Sequence, residues 1–131
     1  FVHAKRSAKS IARQLNEQGI EAINLETYDG VTTPEVKVGT YARSKGLEFK
    51  VVFLPRANKG KVPRLKGANQ SDDEYQDQRD LEITEFFVAM TRARDQLIIS
   101  YAEEPSEVLM GTLDEFEVLD KDDFPVKGDS V

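Results

Sequence analysis

The spacing of apolar residues along the chain predicts two amphipathic helices. Near the start, four apolar residues follow the i, i+3, i+4, i+7 pattern of one helix face: Ala8, Ile11, Ala12 and Leu15. Gly19 follows where a left-handed residue commonly ends a helix. A second set at helical spacing predicts a later helix with these side chains in the core: Ile83, Phe86, Phe87 and Met90. Ser71 and Glu74 match the S-x-x-E capping box, so this helix begins at Ser71 or nearer Asp80.

Four short segments between and after these helices have the apolar pattern of β-strands. Residues 20–25 are β-compatible, and residues 36–40 alternate as a half-buried strand does. Residues 51–54 form a continuous apolar run, which is typical of a strand covered on both faces. Residues 96–101 predict another buried strand. Residues 56–70 contain proline, glycine and many basic residues, and this composition predicts a loop.

This order of strands and helices predicts an α/β fold with a largely parallel sheet. In such sheets, ligands bind in the loops that follow the carboxyl ends of the strands. The segment ARSKGLEF at residues 42–49 follows the predicted strand at residues 36–40, so it is a candidate binding loop. The sequence TRAR at residues 91–94 ends the second helix and leads into the last strand, which places its arginines at another end of the sheet.

Length and composition describe one soluble globular domain of 131 residues, of which 39% are hydrophobic and 32% charged. Because the chain has no cysteine and one histidine, we exclude a disulfide framework, a cysteine nucleophile and a thiolate or histidine metal cluster. No apolar run reaches the roughly 18–20 residues of a membrane span, and no signal peptide is recognisable. We therefore expect a cytoplasmic protein without a metal site or a membrane partner. The chain begins at Phe1 without Met, and we expect it to be a piece of a longer protein.

Charge is strongly segregated along the chain, whose net charge is −6. Residues 40–70 contain eight Lys or Arg and one Glu, whereas residues 71–82 contain six acids and one Arg. Residues 103–131 contain ten acids and two Lys. A basic strip on an acidic chain is a candidate polyanion contact, and the alternative is a lysine-rich loop that faces water. We define the basic strip by its cations: Arg43, Lys45, Lys50, Arg56, Lys59, Lys61, Arg64 and Lys66.

Two segments have both a structural and a functional interpretation. Residues 42–49 form either a plain link between strands, with Gly46 at positive φ, or a loop that contacts phosphate through Arg43 and Lys45. Residues 91–94 supply either two solvated arginines near a helix end or an arginine that reaches a phosphate. The chain contains neither G-x-x-x-x-G-K-[ST] nor G-x-G-x-x-G, so it does not supply the main phosphate-binding loop for a nucleotide.

The sequences KGLEFKVVFLP and FFVAMTRARDQLIISY together resemble motifs V and VI of UvrD/Rep-like superfamily 1 DNA helicases. Residues 1–20 resemble the motif IV region more weakly. The resemblance implies that residues 1–102 are the second RecA-like motor domain, a P-loop NTPase-like α/β fold with helices flanking a largely parallel central sheet. The large helical insertion that many members carry before motif V is absent. Residues 103–131 are expected to be an acidic, partly ordered C-terminal tail.

Carried over residue by residue, the resemblance implies two kinds of site. Arg92 corresponds to the catalytic arginine that reaches the γ-phosphate across the cleft between two motor domains. Glu48 corresponds to the residue that contacts the nucleotide ribose, with Gly46 allowing close approach. The motif V positions that contact the backbone of a single DNA strand are Thr40, Arg43, Ser44 and Lys45.

The chain departs from the family pattern at three positions. Ala42 replaces the usual motif V histidine, and Phe87 replaces the usual motif VI tyrosine. The motif IV arginine, a second γ-phosphate ligand, has no direct counterpart. His3 takes its place in an ungapped alignment, whereas Lys5 or Arg6 takes it after a small shift, and we retain Arg6 as the nucleotide-binding candidate.

The resemblance implies the C-terminal motor domain of an ATP-dependent DNA helicase or translocase. ATP and Mg²⁺ would be bound mainly by an N-terminal RecA-like domain of the same protein, and the partner would be single-stranded or partly duplex DNA. We expect the chain alone to be inactive as an ATPase, because it lacks the phosphate-binding loop. Two alternatives stay open: a non-catalytic nucleic-acid-binding or regulatory module with the motor fold, and a domain whose acidic tail recruits a protein partner.

Overall fold

The computed structural model describes residues 1–120, which form two pairs of parallel strands with helices packed against them. In chain order the helices and strands are α1 (Lys5–Glu17), β1 (Ala22–Asn24), β2 (Val36–Val38), β3 (Phe49–Leu54), α2 (Asp72–Met90), β4 (Ala93–Ile99) and α3 (Glu107–Met110). Short 3-10 helices lie at Leu25–Thr27, Tyr41–Ser44 and Leu113–Glu115. The predicted α/β class with parallel strands is confirmed, whereas the finer assignment as RecA-like stays a prediction.

The first two residues of the chain lie between the two strand pairs. β1 pairs with β2 and β3 pairs with β4, in parallel in both cases. Val2 forms a parallel bridge with Thr40 just beyond β2. The amino group of Phe1 donates a hydrogen bond of 2.7 Å to the carbonyl of Phe53 in β3. Phe1 and Val2 therefore connect the two pairs through backbone hydrogen bonds.

Helix α1 covers β1 and β2 with the apolar face that the sequence predicts. Ala8 is buried in a cluster with Val38, and the other apolar residues of that face pack around them. Gly19 has a φ of +81°. Its N–H donates to the carbonyl of Asn16, and the next N–H donates to the carbonyl of Leu15, which is the Schellman pattern. The predicted helix and its glycine end are both confirmed.

Helix α2 begins with the capping box that the sequence predicts. The N–H of Glu74 donates to Ser71 Oγ at 3.2 Å, and the N–H of Ser71 donates to the Glu74 carboxylate at 3.0 Å. The first turn also carries acids, which suit the positive end of the helix dipole. Of the two predicted starts, Ser71 is confirmed and Asp80 is wrong.

The buried face of α2 differs from the predicted one. Its fully buried residues lie at i, i+4 and i+7: Glu82, Phe86 and Ala89. Phe86 contacts the ring of Tyr41 edge to face, with centroids 5.3 Å apart. Ile83 and Met90 are partly buried, but Phe87 is exposed. The prediction that Phe87 belongs to the core is wrong, because α2 turns the side with Glu82 towards the domain.

Strand β3 is covered on one face only. Val52 and Leu54 are buried in the core beneath α2, whereas Val51 and Phe53 on the other face are 49% and 47% exposed. Helix α1 packs on β1 and β2 instead of on this second face. The prediction that residues 51–54 are covered on both faces is therefore wrong.

Strand β4 shows the same one-sided burial. Leu97 and Ile99 pack against the core, while Gln96 is exposed beside Val51. Tyr101 lies beyond the strand and is also exposed. The predicted strand at residues 96–101 is confirmed in part, and its full burial is wrong.

Residues 56–70 contain neither helix nor strand, as predicted. They are nevertheless attached to the domain, because Ala57 and Val62 are buried in the same core as Phe86. The basic side chains of this loop lie between anchored backbone positions. The loop is therefore a fixed surface of the domain.

Part of the acidic tail also packs on the domain. Leu109 of α3 is buried in the core, and Ser106 before it is fully buried. A domain boundary after residue 102 stays a prediction. Residues 121–131 of the predicted tail lie outside the described residues.

Candidate nucleotide and nucleic-acid site

The turn at residues 46–48 and Arg92 meet where β3 and β4 begin. The N–H of Phe49 donates to the carbonyl of Arg92 at 2.9 Å, and Phe49 pairs with Ala93 in the sheet. Because the two strands are parallel, the residues that precede them lie at the same edge. The two segments that resemble motifs V and VI are thus neighbours in space.

Arg92 follows the helix and does not belong to it. Helix α2 ends at Met90, and Ala93 already belongs to β4. The prediction that all of residues 91–94 end the helix is wrong, since the strand begins earlier than the apolar pattern indicates. This arrangement turns the chain sharply at Thr91 and Arg92.

The guanidinium of Arg92 is held by three neutral acceptors. Nε donates to the Val88 carbonyl at 3.1 Å, Nη2 donates to Thr91 Oγ1 at 3.0 Å, and Nη1 donates to the Leu47 carbonyl at 3.4 Å. Within residues 1–120 no carboxylate lies within ion-pair distance of it. Arg94 differs, because it is exposed and lies 3.7 Å from the Asp95 carboxylate. Arg92 therefore combines a fixed position with an uncompensated charge.

Gly46 and Glu48 present an open surface beside Arg92. Gly46 has a φ of +80°, as the structural interpretation of residues 42–49 expects, and a Cβ built on it meets no atom within 4 Å. Glu48 is exposed, and its carboxylate forms no hydrogen bond or ion pair in the part of the chain that the structure describes. An open turn with a free carboxylate and a nearby arginine suits a ligand with hydroxyl and phosphate groups.

The candidate DNA-binding residues lie at a different edge, after the end of β2. Arg43 and Lys45 are exposed, and Arg43 Nη2 donates to the Leu25 carbonyl at 3.2 Å. Thr40 is largely buried. Ser44 is fully buried, and its hydroxyl donates to the Tyr41 carbonyl at 2.6 Å. The Ser44 hydroxyl thus stabilises the turn from inside instead of facing a surface ligand.

Three side chains were candidates for the missing motif IV arginine, and their surroundings differ. His3 Nε2 lies 3.5 Å from the Glu82 carboxylate, and burial lowers the pKa of His3 although Glu82 acts against this. Lys5 Nζ lies 3.0 Å from the Glu26 carboxylate. Arg6 is exposed and forms no ion pair within residues 1–120. Of the three, Arg6 is the cation that is free to meet a ligand.

The sequence did not reveal how much of the basic strip is already paired. Lys59 lies 3.4 Å from Glu104, and Arg64 Nε lies 2.6 Å from Glu82. Lys66 pairs with Asp72. The available signal was the acidic segment at residues 71–82, which follows the strip directly. The members of the strip without an ion pair in the described chain are Arg43, Lys45, Lys50, Arg56 and Lys61.

The described part of the chain offers neither a cluster of metal ligands nor a membrane-spanning helix. Within residues 1–120, no three His, Cys, Asp or Glu side chains are grouped so that they could hold a metal ion. No helix in the same part of the chain is both long enough and apolar enough to cross a membrane.

Comparisons with known proteins agree with one another. A model of the UvrD-like helicase C-terminal domain matches residues 3–104. The ATP-dependent DNA helicase Rep of Buchnera aphidicola subsp. Schizaphis graminum (strain Sg) is 38% identical over 68 residues, which cover 52% of this chain and 9% of that protein. Among solved structures, the C-terminal domain of a possible DNA helicase from Lactobacillus plantarum WCFS1 has a TM-score of 0.58 at 20% identity. That match covers 82% of this chain and 57% of the other, and it shows a common fold.

Proposed function

This chain belongs to the UvrD-like helicase C-terminal domain family, and from that premise we propose that it is the second motor domain of an ATP-dependent DNA helicase or translocase. The observation that carries the proposal is the position of Arg92, whose unpaired guanidinium contacts the turn at residues 46–48. The rest of the nucleotide site, including the phosphate-binding loop and the Mg²⁺ ligands, would come from an N-terminal motor domain of the same protein. When bound, ATP and Mg²⁺ supply the phosphoryl group and the charge that polarises it.

We assign Arg92 as the residue that stabilises negative charge on the transferred phosphoryl group. Its three acceptors are neutral, so its full positive charge remains available. Because the acceptors fix the guanidinium in advance, little reorganisation is needed when the two motor domains close. Arg6 is proposed as a second cation for the same phosphate.

Glu48 and Gly46 are proposed to hold the nucleotide sugar. A free carboxylate accepts hydrogen bonds from ribose hydroxyls, and Glu48 has no competing partner in the described chain. Gly46 leaves open space above the turn where a side chain would stand. These features fit a nucleotide that approaches from outside the domain.

The surface after β2 is proposed to contact the phosphates of single-stranded or partly duplex DNA through Thr40, Arg43 and Lys45, with Ser44 supporting the turn. A packed connection leads from this surface to the nucleotide side. Tyr41 lies within the turn and contacts Phe86, and Phe86 lies on the helix that leads directly to Arg92. A shift of the DNA-binding turn would therefore press on the element that positions the arginine.

Replacement of Arg92 tests the nucleotide side in the full-length protein. We expect Arg92→Ala to lower kcat of the DNA-stimulated ATPase about 10³-fold or more, as for an arginine that acts on the transferred phosphate. Arg94→Ala is the matched control and should stay near wild type, since Arg94 is exposed and paired with Asp95. Both variants should bind single-stranded DNA as the wild type does.

Wild-type turnover in Arg92→Ala would remove Arg92 from the mechanism. The 131-residue chain alone should show no turnover, because it lacks the phosphate-binding loop. Turnover by the purified chain that disappears in Arg92→Ala would show instead that the chain is a complete ATPase.

A further inference from the structure

Three cations and one carboxylate converge where the ends of β1 and β2 meet the start of α1. Lys5 and Lys9 come from the first turns of α1, and Arg43 comes from the turn after β2. Glu26 lies among them in the 3-10 helix that follows β1. These four residues line a small cleft together with Ala8, Asn24, Gly39 and Thr40.

In the structure, Glu26 is the acidic partner of these cations. Lys5 Nζ lies 3.0 Å from Glu26 Oε1. A hydrogen bond from Lys5 and its charge, with smaller effects of Lys9 and Arg43, lower the pKa of Glu26. The Arg43 guanidinium is held on the carbonyl of Leu25, directly before Glu26. One carboxylate thus faces three positive charges, and the cluster keeps an excess of positive charge.

Two further observations indicate that the cleft is suited to an anion. Thr40 lines it with 8% of its surface exposed, and the Thr40 hydroxyl forms no hydrogen bond within residues 1–120. The N-terminus of α1 has no side-chain cap and no acid in its first turn. A phosphate oxygen accepts hydrogen bonds from donors of this kind, namely free helix N–H groups and an unpaired hydroxyl.

We propose that Glu26 is a built-in competitor for a backbone phosphate of single-stranded DNA at this cleft. The proposal rests on the proposed function, which puts DNA on the surface after β2, and it adds Lys5, Lys9 and a displaceable carboxylate to that surface. DNA binding then exchanges one anion for another: the phosphate takes the cations, and Glu26 moves into solvent.

The size of the cleft and the mobility of the carboxylate support an exchange. The free volume of about 10 Å³ holds about one water molecule, so a phosphate enters only when Glu26 leaves. The Glu26 side chain is 43% exposed and can rotate outward. Its backbone N–H stays bonded to Asn24 Oδ1 at 2.9 Å, which keeps the turn in place.

Competition by Glu26 predicts tighter binding when its charge is removed. In Glu26→Gln the dissociation constant for single-stranded DNA should fall about two- to fivefold at low salt, the scale of an exposed ion pair. The decrease of affinity with salt should also become steeper, by up to about 0.7 in the log–log slope, because the DNA-binding surface gains one net positive charge. Glu21→Gln makes the same charge change at an exposed residue outside the cleft and is the matched control.

The experiment measures fluorescence anisotropy of a labelled oligo-dT with the full-length protein at several salt concentrations. Tighter and more salt-sensitive binding by Glu26→Gln but not by Glu21→Gln supports the proposal. Lys5→Gln should weaken binding, and the effect of Glu26→Gln should shrink when it is combined with Lys5→Gln.

Failure of this inference and failure of the proposed function give different results. In one outcome, Glu26→Gln and Glu21→Gln have the same dissociation constant for the oligonucleotide, while the double variant Arg43→Gln, Lys45→Gln binds it more weakly than the wild type. DNA then contacts the surface, but Glu26 is no competitor. If neither the wild type nor any variant binds the oligonucleotide, the proposed function is overturned and the competitor falls with it.

Discussion

Glu82 lies in the core with 3% of its surface exposed, in a position where a lone carboxylate would be strongly unfavourable. Its oxygens accept hydrogen bonds from the backbone N–H of Arg64 at 2.7 Å and from Arg64 Nε at 2.6 Å. Gln78 Nε2 donates at 3.2 Å, and His3 Nε2 lies 3.5 Å away. One side chain thereby ties helix α2 to the basic loop and to the start of the chain.

Removal of this carboxylate should destabilise the domain. We expect Glu82→Ala to lower the free energy of unfolding by about 1 to 3 kcal/mol, because the backbone N–H of Arg64 loses its acceptor and Gln78 and His3 lose the same partner. Urea denaturation followed by circular dichroism measures the change. Asp77→Ala, at an exposed position of the same helix, is the control and should cost less than about 1 kcal/mol. An equal loss of unfolding free energy in the two variants would show that the hydrogen bonds of Glu82 do not stabilise the domain.

At the scale of elements, the sequence was informative wherever a local pattern determines the structure. Apolar spacing predicted α1, and the capping box located the start of α2, since both depend on residues a few positions apart. The face that α2 buries was predicted wrongly at Phe87 because Glu82 looks like a surface residue. Besides its neighbour Gln78, its partners are the distant residues Arg64 and His3, and local spacing does not reveal these two.

The same limit applies to the strands and to the candidate site. An apolar run predicted β3 correctly, but whether a helix covers both faces depends on where α1 packs. The pairing of Arg92 with the turn at residues 46–48 came from motif resemblance, and its geometry comes from the register between β3 and β4. The cluster around Glu26 brings together residues from three separate elements, so no local sequence pattern predicts it.

The capping box of α2 allows a direct test at this scale. Ser71→Ala should lower the free energy of unfolding by about 1 kcal/mol, because the N–H of Glu74 loses the acceptor that Ser71 provides. Ser71→Asp keeps an acceptor at the same place and should stay close to wild type in thermal denaturation. A loss of the same size in both variants would mean that the side chain has another role.

At the scale of the whole molecule, the first two residues of the chain connect the two strand pairs through backbone hydrogen bonds. The Phe1 amino group donates a hydrogen bond to the Phe53 carbonyl, and its partial burial lowers the pKa of this amino group from 8.0 to about 6. Between these values the unfolded chain carries the proton and the folded chain does not. Stability therefore rises as the pH increases through this window.

A chain with a free amino group at Phe1 should gain up to about 2 to 3 kcal/mol of unfolding free energy between pH 6 and pH 8. Burial also lowers the pKa of His3, so this residue likewise makes the stability rise with pH, in a window below the usual pKa of histidine. Urea titrations at several pH values measure the slope, and N-terminal acetylation removes the contribution of the amine. An unchanged slope after acetylation would contradict the assignment to Phe1.

The open face of β3 has a practical consequence for work with the separate domain. Val51 and Phe53 stand side by side with Ile98 of β4 on a surface that no helix in residues 1–120 covers. An apolar strand face exposed to solvent favours self-association at high protein concentration. Self-association of the separate chain would thus involve residues that contribute neither to its core nor to its candidate sites.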